Sequence, residues 1–147
     1  MNEITNNILF EQIKNLIEQT KNNVAVAVNS SLTMMYWEIG NRINQNILKN
    51  QRAEYGKEIV VTLSRQLQDN FGKGFDEKNL RRMMQFANAI EKQKVVTLSR
   101  QLSWSHFLAL LPLQDNLKIE FCAQMTIAQN WGVRTLRERI DSMLYER

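Results

Sequence analysis

The sequence contains few of the residues that interrupt or cross-link a chain. Its 147 residues include one proline, five glycines and one cysteine, while 44% are hydrophobic. Strands joined by tight turns need more glycine and proline, so the composition predicts an all-α fold, which we expect to form a single helical domain over residues 1–147. The lone Cys122 excludes an intramolecular disulfide and is typical of a reducing compartment, so we expect a cytoplasmic protein.

Long hydrophobic runs are also missing. No uninterrupted apolar stretch approaches the length that crosses a bilayer, and the chain opens on Met1, Asn2 and Glu3 rather than on a basic segment followed by an apolar one. We therefore expect neither a membrane-spanning helix nor a secretory signal, and no membrane partner.

Residues that carry catalysis or bind metals are scarce. The only histidine, His106, and the only cysteine, Cys122, cannot build a zinc cluster, and both lie in apolar surroundings. The letters of residues 76–78, Asp-Glu-Lys, match part of a metal-dependent nuclease motif, but they follow a turn rather than a strand. We predict no catalytic residue, no metal site and no cofactor, and therefore no enzymatic activity in this segment alone.

Apolar residues at three- and four-residue spacing predict two helices in the first third of the chain. The first begins near Thr5 and ends where residues 20–23 interrupt the pattern, and the second covers residues 24–48. Gly40, inside the second helix, predicts a close helix crossing. The first helix is expected to bury Ile8, Leu9, Ile13, Leu16 and Ile17.

The rest of the chain shows the same periodicity. A loop is predicted at 50–56, and helices are predicted at 57–70, 78–92, 117–129 and 133–144, with a short helix from Ser103 or Ser105 to Pro112. Residues 95–98 remain open to a helical or an extended interpretation because two valines begin them. Residues 95–102 also repeat residues 60–67 letter for letter, which indicates similar packing but no solenoid.

Residues 63–91 have the pattern of a helix-turn-helix. Gly72 suits a positive-φ position after the first helix, and Asp76 suits the cap of the second. The whole net charge of +4 falls in residues 65–100, which include the turn and the second helix of this pattern and hold 8 Lys/Arg against 4 Asp/Glu. Residues 1–64 hold 6 of each, and residues 101–147 hold 5 of each. Clustered cations bind phosphates by displacing condensed counterions, so the pattern predicts DNA as a partner.

Seven residues are the candidates for DNA contact. Arg81, Arg82 and Gln85 would reach base edges, Lys73, Lys78 and Lys92 would contact phosphates, and Asn79 lies among them. On the last predicted helix, by contrast, Arg134 and Arg137 each have an acid four residues on. The alternative is a protein-interaction module, in which the apolar face of residues 24–48 or the region 104–106 binds a partner or a second copy to give a homo-oligomer.

Several motifs together resemble one protein family. They include Tyr36-Trp37-Glu38-Ile39-Gly40, Leu63-Ser64-Arg65-Gln66-Leu67, Phe71-Gly72-Lys73-Gly74-Phe75, Gln101-Leu102-Ser103-Trp104-Ser105-His106 and the run at 131–140. The chain resembles the N-terminal domain of YhcG-type bacterial proteins, a domain of unknown function that precedes a PDDEXK-type nuclease domain. The resemblance implies a winged-helix-like DNA-binding or targeting module, and a longer parent protein in which a C-terminal nuclease domain is the partner.

Overall fold

The computed structural model describes residues 2–50 and 53–145, with the side chains of residues 8–50 and 54–143. Throughout this part of the chain the regular structure is helical and no strand occurs, which confirms the all-α prediction. The described residues therefore contain no β-hairpin that could form the wing of a winged helix. Two 3-10 turns lie at Lys73–Phe75 and Leu111–Leu113. The α-helices are α1 (Asn2–Asn50), α2 (Ala53–Phe71), α3 (Glu77–Ala89), α4 (Lys92–Leu98), α5 (Trp104–Leu110), α6 (Asn116–Gln129) and α7 (Val133–Tyr145).

The two helices predicted in the first third of the chain are one continuous helix, α1. The predicted break at residues 20–23 is wrong because threonine, lysine and asparagine only weaken a helix, whereas no glycine or proline occurs before Gly40 to stop it. The predicted burial of the first apolar stripe is also wrong, since its five residues are 48–63% exposed. We call residues 8–28 the arm, because every side chain in this range is exposed.

Beyond the arm, α1 packs against the other helices. Its first contacts are made by Asn29, whose amide donates to the carbonyls of Ser99 and Leu102 at 2.8 and 3.0 Å. Further along, α1 crosses α3 at Gly40, where a side-chain carbon would collide with the carbonyl of Met83. The predicted close crossing is therefore confirmed.

Two apolar clusters share the core. The smaller one joins α1, α2 and α3 through Ile43, Val60, Leu80 and Met83. The larger one runs from α1 and α3 through α4, α5, α6 and α7, and Phe86 and Phe107 lie fully buried within it, 5.0 Å apart between ring centroids. Trp104 lies against both clusters and packs 4.8 Å from Tyr36 and 5.0 Å from Phe86.

Several predicted helix boundaries are corrected by the structure. Helix α2 begins at Ala53, inside the predicted loop, and α3 ends at Ala89, so the predicted helix 78–92 is divided between α3 and α4. Residues 95–98 are helical, which settles the choice left open for them. The proposed cap Ser103 begins α5, and its side chain accepts a hydrogen bond from the His106 amide.

The two identical segments, residues 60–67 and 95–102, lie in different elements of the fold, and the same positions of each face inward. The first copy lies within α2 and the second covers the end of α4 and the turn after it. Val60 and Val95 are both fully buried, and so, within a few per cent, are Ser64 and Ser99. The repeat is thus explained by similar packing, as predicted, and it forms no repeated structural unit.

We predict that Gly40→Ala lowers the free energy of unfolding by about 3 kcal/mol, because the added methyl group would separate α1 from the α3 backbone. Gly56→Ala in α2 is the matched control. Its new carbon would meet Ile47 Cδ1 at 3.6 Å, an ordinary contact, so it should gain about 0.5–1 kcal/mol of helix stability. Urea unfolding followed by circular dichroism measures both changes, and equal effects would contradict the close crossing.

Candidate nucleic-acid interface

The turn between α2 and α3 fixes where α3 begins. Gly72 follows α2 with a φ of 95°, a conformation that favours glycine, and its amide donates to the Gln68 carbonyl at 2.9 Å. At the other end, the Asp76 carboxylate caps α3 by accepting the Asn79 amide at 2.8 Å. Both roles agree with the sequence prediction, and they hold the first turn of α3 in place.

Helix α3 has one buried and one exposed side. Leu80, Met83 and Phe86 are at most 1% exposed and face the core. Lys78, Arg81 and Gln85 recur at three- and four-residue spacing on the opposite side and are exposed. No acidic side chain in the described ranges lies within ion-pair distance of these cations. Helix α3 begins at Glu77, four residues before Arg81, but this carboxylate forms no ion pair with it, so the exposed side of α3 carries Lys78 and Arg81 unpaired among the described residues.

The other residues predicted on this helix have different environments. Lys73 is exposed on the 3-10 turn just before α3, next to the exposed side. The side-chain amide of Asn79 donates to the Gly74 carbonyl at 3.2 Å, so this side chain stabilises the turn. Arg82 is half-buried at the edge of the exposed side, one turn after Lys78, and it lines a groove between helices.

Lys92 does not share the surface of α3. Ile90 is extended after α3, and Lys92 begins α4. Its ammonium lies 2.7 Å from Glu38 Oε1 on α1 and 6.0 Å from the centroid of the Trp37 ring. The hydrogen bond from Lys92 lowers the pKa of Glu38. The charge of Lys92 is thus balanced locally, unlike the charges of Lys78 and Arg81.

The groove beside α3 brings together two arginines that are far apart in the sequence. It is a cavity of about 360 Å³ between α3, α5 and α7, and its lining includes Arg82, Arg137, Asp141, Leu108 and Ile140. The sequence did not indicate Arg137 as a DNA-contact residue, because Asp141, four residues later, was expected to pair with it. In the structure Arg134 pairs with Glu138 at 3.4 Å, whereas Arg137 has no ion pair with any described residue.

His106 and Cys122 have structural roles in the packed core. The Ser103 amide donates to His106 Nδ1 at 3.1 Å, which leaves Nε2 to donate to the Trp131 carbonyl at 3.0 Å. Cys122 is buried, and burial raises the pKa of its thiol. Within residues 8–50 and 54–143, no three His, Cys, Asp or Glu side chains are grouped so that they could hold a metal ion. None of the described helices combines the length and apolar character needed to span a bilayer.

Comparison with protein families identifies a match over most of the chain. The family model described as DUF1016 N-terminal domain matches residues 12–147. The chain belongs to the DUF1016 N-terminal domain family. This DUF1016 domain is similar to the protein called "Putative nuclease YhcG" from Escherichia coli (strain K12), with 25% identity over 170 residues that cover 95% of this chain and 45% of that protein. It thus spans less than half the length of that relative.

The family membership confirms the resemblance to YhcG-type proteins that the motifs suggested. No solved structure matches the chain. The family description names no function, so any role for the surfaces of this DUF1016 domain has to be argued from their geometry and charge.

Proposed function

We propose that this chain is a DNA-binding and targeting module of a longer nuclease, that it is non-catalytic by itself, and that α3 is its contacting helix. The observation that carries the proposal is the exposed side of α3, where Lys78 and Arg81 have no acidic partner among the described residues. Helix α2, the turn and α3 together would then act as a helix-turn-helix.

The exposed side of α3 suits the dimensions and chemistry of a duplex. An α-helix with its side chains is about 10–12 Å wide, which matches a major groove about 12 Å wide. Arg81 and Gln85 lie one turn apart and carry the donors and acceptors that read base edges. Lys73 and Lys78 lie at the turn and at the start of α3, where they would contact phosphates.

Three of the seven predicted residues have other roles in this proposal. Arg82 lines the groove beside α3 rather than reaching base edges. Asn79 stabilises the turn through the Gly74 carbonyl, so it would position α3 rather than contact a base. Lys92 is paired with Glu38 on another helix, and we leave it out of the contact set.

The relative supports a link to nucleic acids, because its name calls it a nuclease. The chain matches less than half of that protein, and we propose that the remainder of the parent protein provides a nuclease domain. The reduced Cys122 and a DNA partner agree with a cytoplasmic location.

We predict that Lys78→Ala/Arg81→Ala weakens binding of duplex DNA about ten-fold or more. The slope of log affinity against log salt should fall in magnitude by roughly two units, because two fewer phosphates are neutralised and fewer counterions are released on binding. Fluorescence anisotropy of labelled duplex at several salt concentrations measures both quantities. Circular dichroism establishes that each variant is folded.

The matched control is Lys92→Ala/Lys94→Ala, which removes the same charge from residues that are paired with Glu38 and Glu120. It should leave the affinity and the salt slope close to those of the wild type. If the α3 variant binds as the control does, the assignment of DNA binding to α3 is wrong.

A second candidate function is self-association, and the exposed apolar stripe of the arm favours it. Leu9, Ile13, Leu16, Ile17 and Val24 lie on one side of the arm at helical spacing, and each is 48–63% exposed. The side of α1 that packs on the rest of the protein, through Asn29, Thr33, Trp37 and Gly40, lies roughly 160° away around the helix. The described part of the chain therefore leaves this stripe uncovered while α1 stays continuous.

A second copy of the arm is the occupant that this stripe fits best. The arm carries Glu11 and Glu18 against Lys14 and Lys21, so it has no net charge to attract DNA or anionic lipid. An apolar stripe on a neutral helix is complementary to itself, as a two-fold interface requires. Ile39, Ile43 and Ile47 pack in or against the core, so the surface for self-association is the arm rather than the whole face of residues 24–48.

We predict that the wild type forms dimers at micromolar concentrations and that Leu16→Gln/Ile17→Gln makes it monomeric, because the stripe loses its central apolar pair while the helix keeps good helix formers. Sedimentation velocity over a range of protein concentrations measures the change. Asn15→Gln/Asn22→Gln on the polar side of the arm is the control and should remain dimeric. A wild type that stays monomeric at high concentration would exclude this function.

A further inference from the structure

The groove between α3, α5 and α7 combines positive charge with apolar walls. Arg82 extends from α3 and Arg137 from α7 into the same cavity of about 360 Å³, beside Leu108 and Ile140. Asp141 is the acidic residue in its lining, and neither arginine forms an ion pair with a described residue. The groove thus holds two positive charges and one negative charge.

We infer that Arg82 and Arg137 form a phosphate-binding cleft that takes a backbone phosphate of the bound DNA; this inference rests on the proposed function. Two like charges in one groove repel each other, and an anion between them turns this repulsion into attraction. The flat guanidinium group offers paired donors that match two phosphate oxygens. Arg137 is exposed and Arg82 is half-buried, so a phosphate can reach both guanidinium groups from outside the protein.

The position of the cleft connects it with the exposed side of α3. Lys78 precedes Arg82 by one helical turn, and Arg81 is its neighbour in the chain, so the cleft adjoins the residues proposed to contact DNA. Arg137 adds a contact from α7, outside the helix-turn-helix. A duplex held on α3 would then be clamped at a second point by a different helix, which fixes its orientation as well as its distance.

The first test compares two arginines on α7 in DNA binding. Arg137→Ala should weaken binding of labelled duplex about five-fold and lower the salt slope by roughly one unit. Arg134→Ala is the matched control, since it removes the same charge three residues away, where Glu138 already pairs with it. It should change neither quantity. Equal effects of the two variants would overturn the cleft.

Asp141→Asn should change the DNA affinity in the opposite direction from Arg137→Ala. It removes the carboxylate that competes with a phosphate in the groove, so DNA affinity should rise. Arg137→Lys should keep most of the salt slope but lose part of the affinity, because lysine keeps the charge without the paired donors. A loss of DNA affinity in Asp141→Asn would count against a phosphate between the arginines.

A free phosphate ion could bind the same groove instead of the DNA backbone. Inorganic phosphate is therefore compared with chloride at equal ionic strength in thermal unfolding of the wild type and of Arg137→Ala. If phosphate stabilises only the wild type while Arg137→Ala binds DNA normally, the cleft takes free phosphate and the DNA assignment is overturned. If Lys78→Ala/Arg81→Ala weakens DNA binding but Arg137→Ala does not, the proposed function stands and this inference fails.

Discussion

The close crossing of α1 and α3 at Gly40 determines which residues of α3 can meet a partner. The backbone of α3 lies so near to α1 that no side chain fits between them. Two polar contacts support the crossing, since Asn44 donates to the Met84 carbonyl at 2.9 Å and the Trp37 indole donates to the Ile90 carbonyl at 2.8 Å. With α3 held at its middle and its end, its buried side cannot rotate outward, and its charged side stays exposed.

The same helix α1 connects the two proposed surfaces. One part of it packs on α3, and the other part is the arm, which extends for roughly 30 Å at 1.5 Å per residue. Because α1 is continuous, two copies paired through their arms would hold their α3 helices at a defined separation. DNA-binding dimers use such a fixed separation to select the spacing of two half-sites. Pairing of the arms and binding by α3 would then be parts of one recognition process.

Local chemistry was readable from the sequence, and long-range placement was not. The roles of Gly72 and Asp76 were predicted because each depends on the backbone next to it. The close crossing at Gly40 was predicted because glycine weakens a helix interior, although the sequence did not show that α3 is the helix crossed. The stripe from Ile8 to Ile17 was correctly seen as helical, but periodicity does not tell whether a stripe faces the core or the solvent. Phe86 is fully buried, and Arg82 and Arg137 line the same groove. Both features depend on how the helices pack, which no local sequence pattern encodes.

The charge distribution explains why one α3 surface alone would bind DNA weakly. The region that holds the net charge of +4 includes Lys92 and Lys94, whose charges are balanced by Glu38 and Glu120 from other helices. On the surface of α3 itself, the cations proposed to contact phosphates are then Lys73, Lys78 and Arg81, and affinity rises with the number of phosphates neutralised. In the proposed complex Arg137 in the cleft would add one contact, and pairing through the arm would double all of them while raising the effective concentration of the second surface. Tight DNA targeting, as proposed, would therefore depend on the geometry of the chain more than on its total charge.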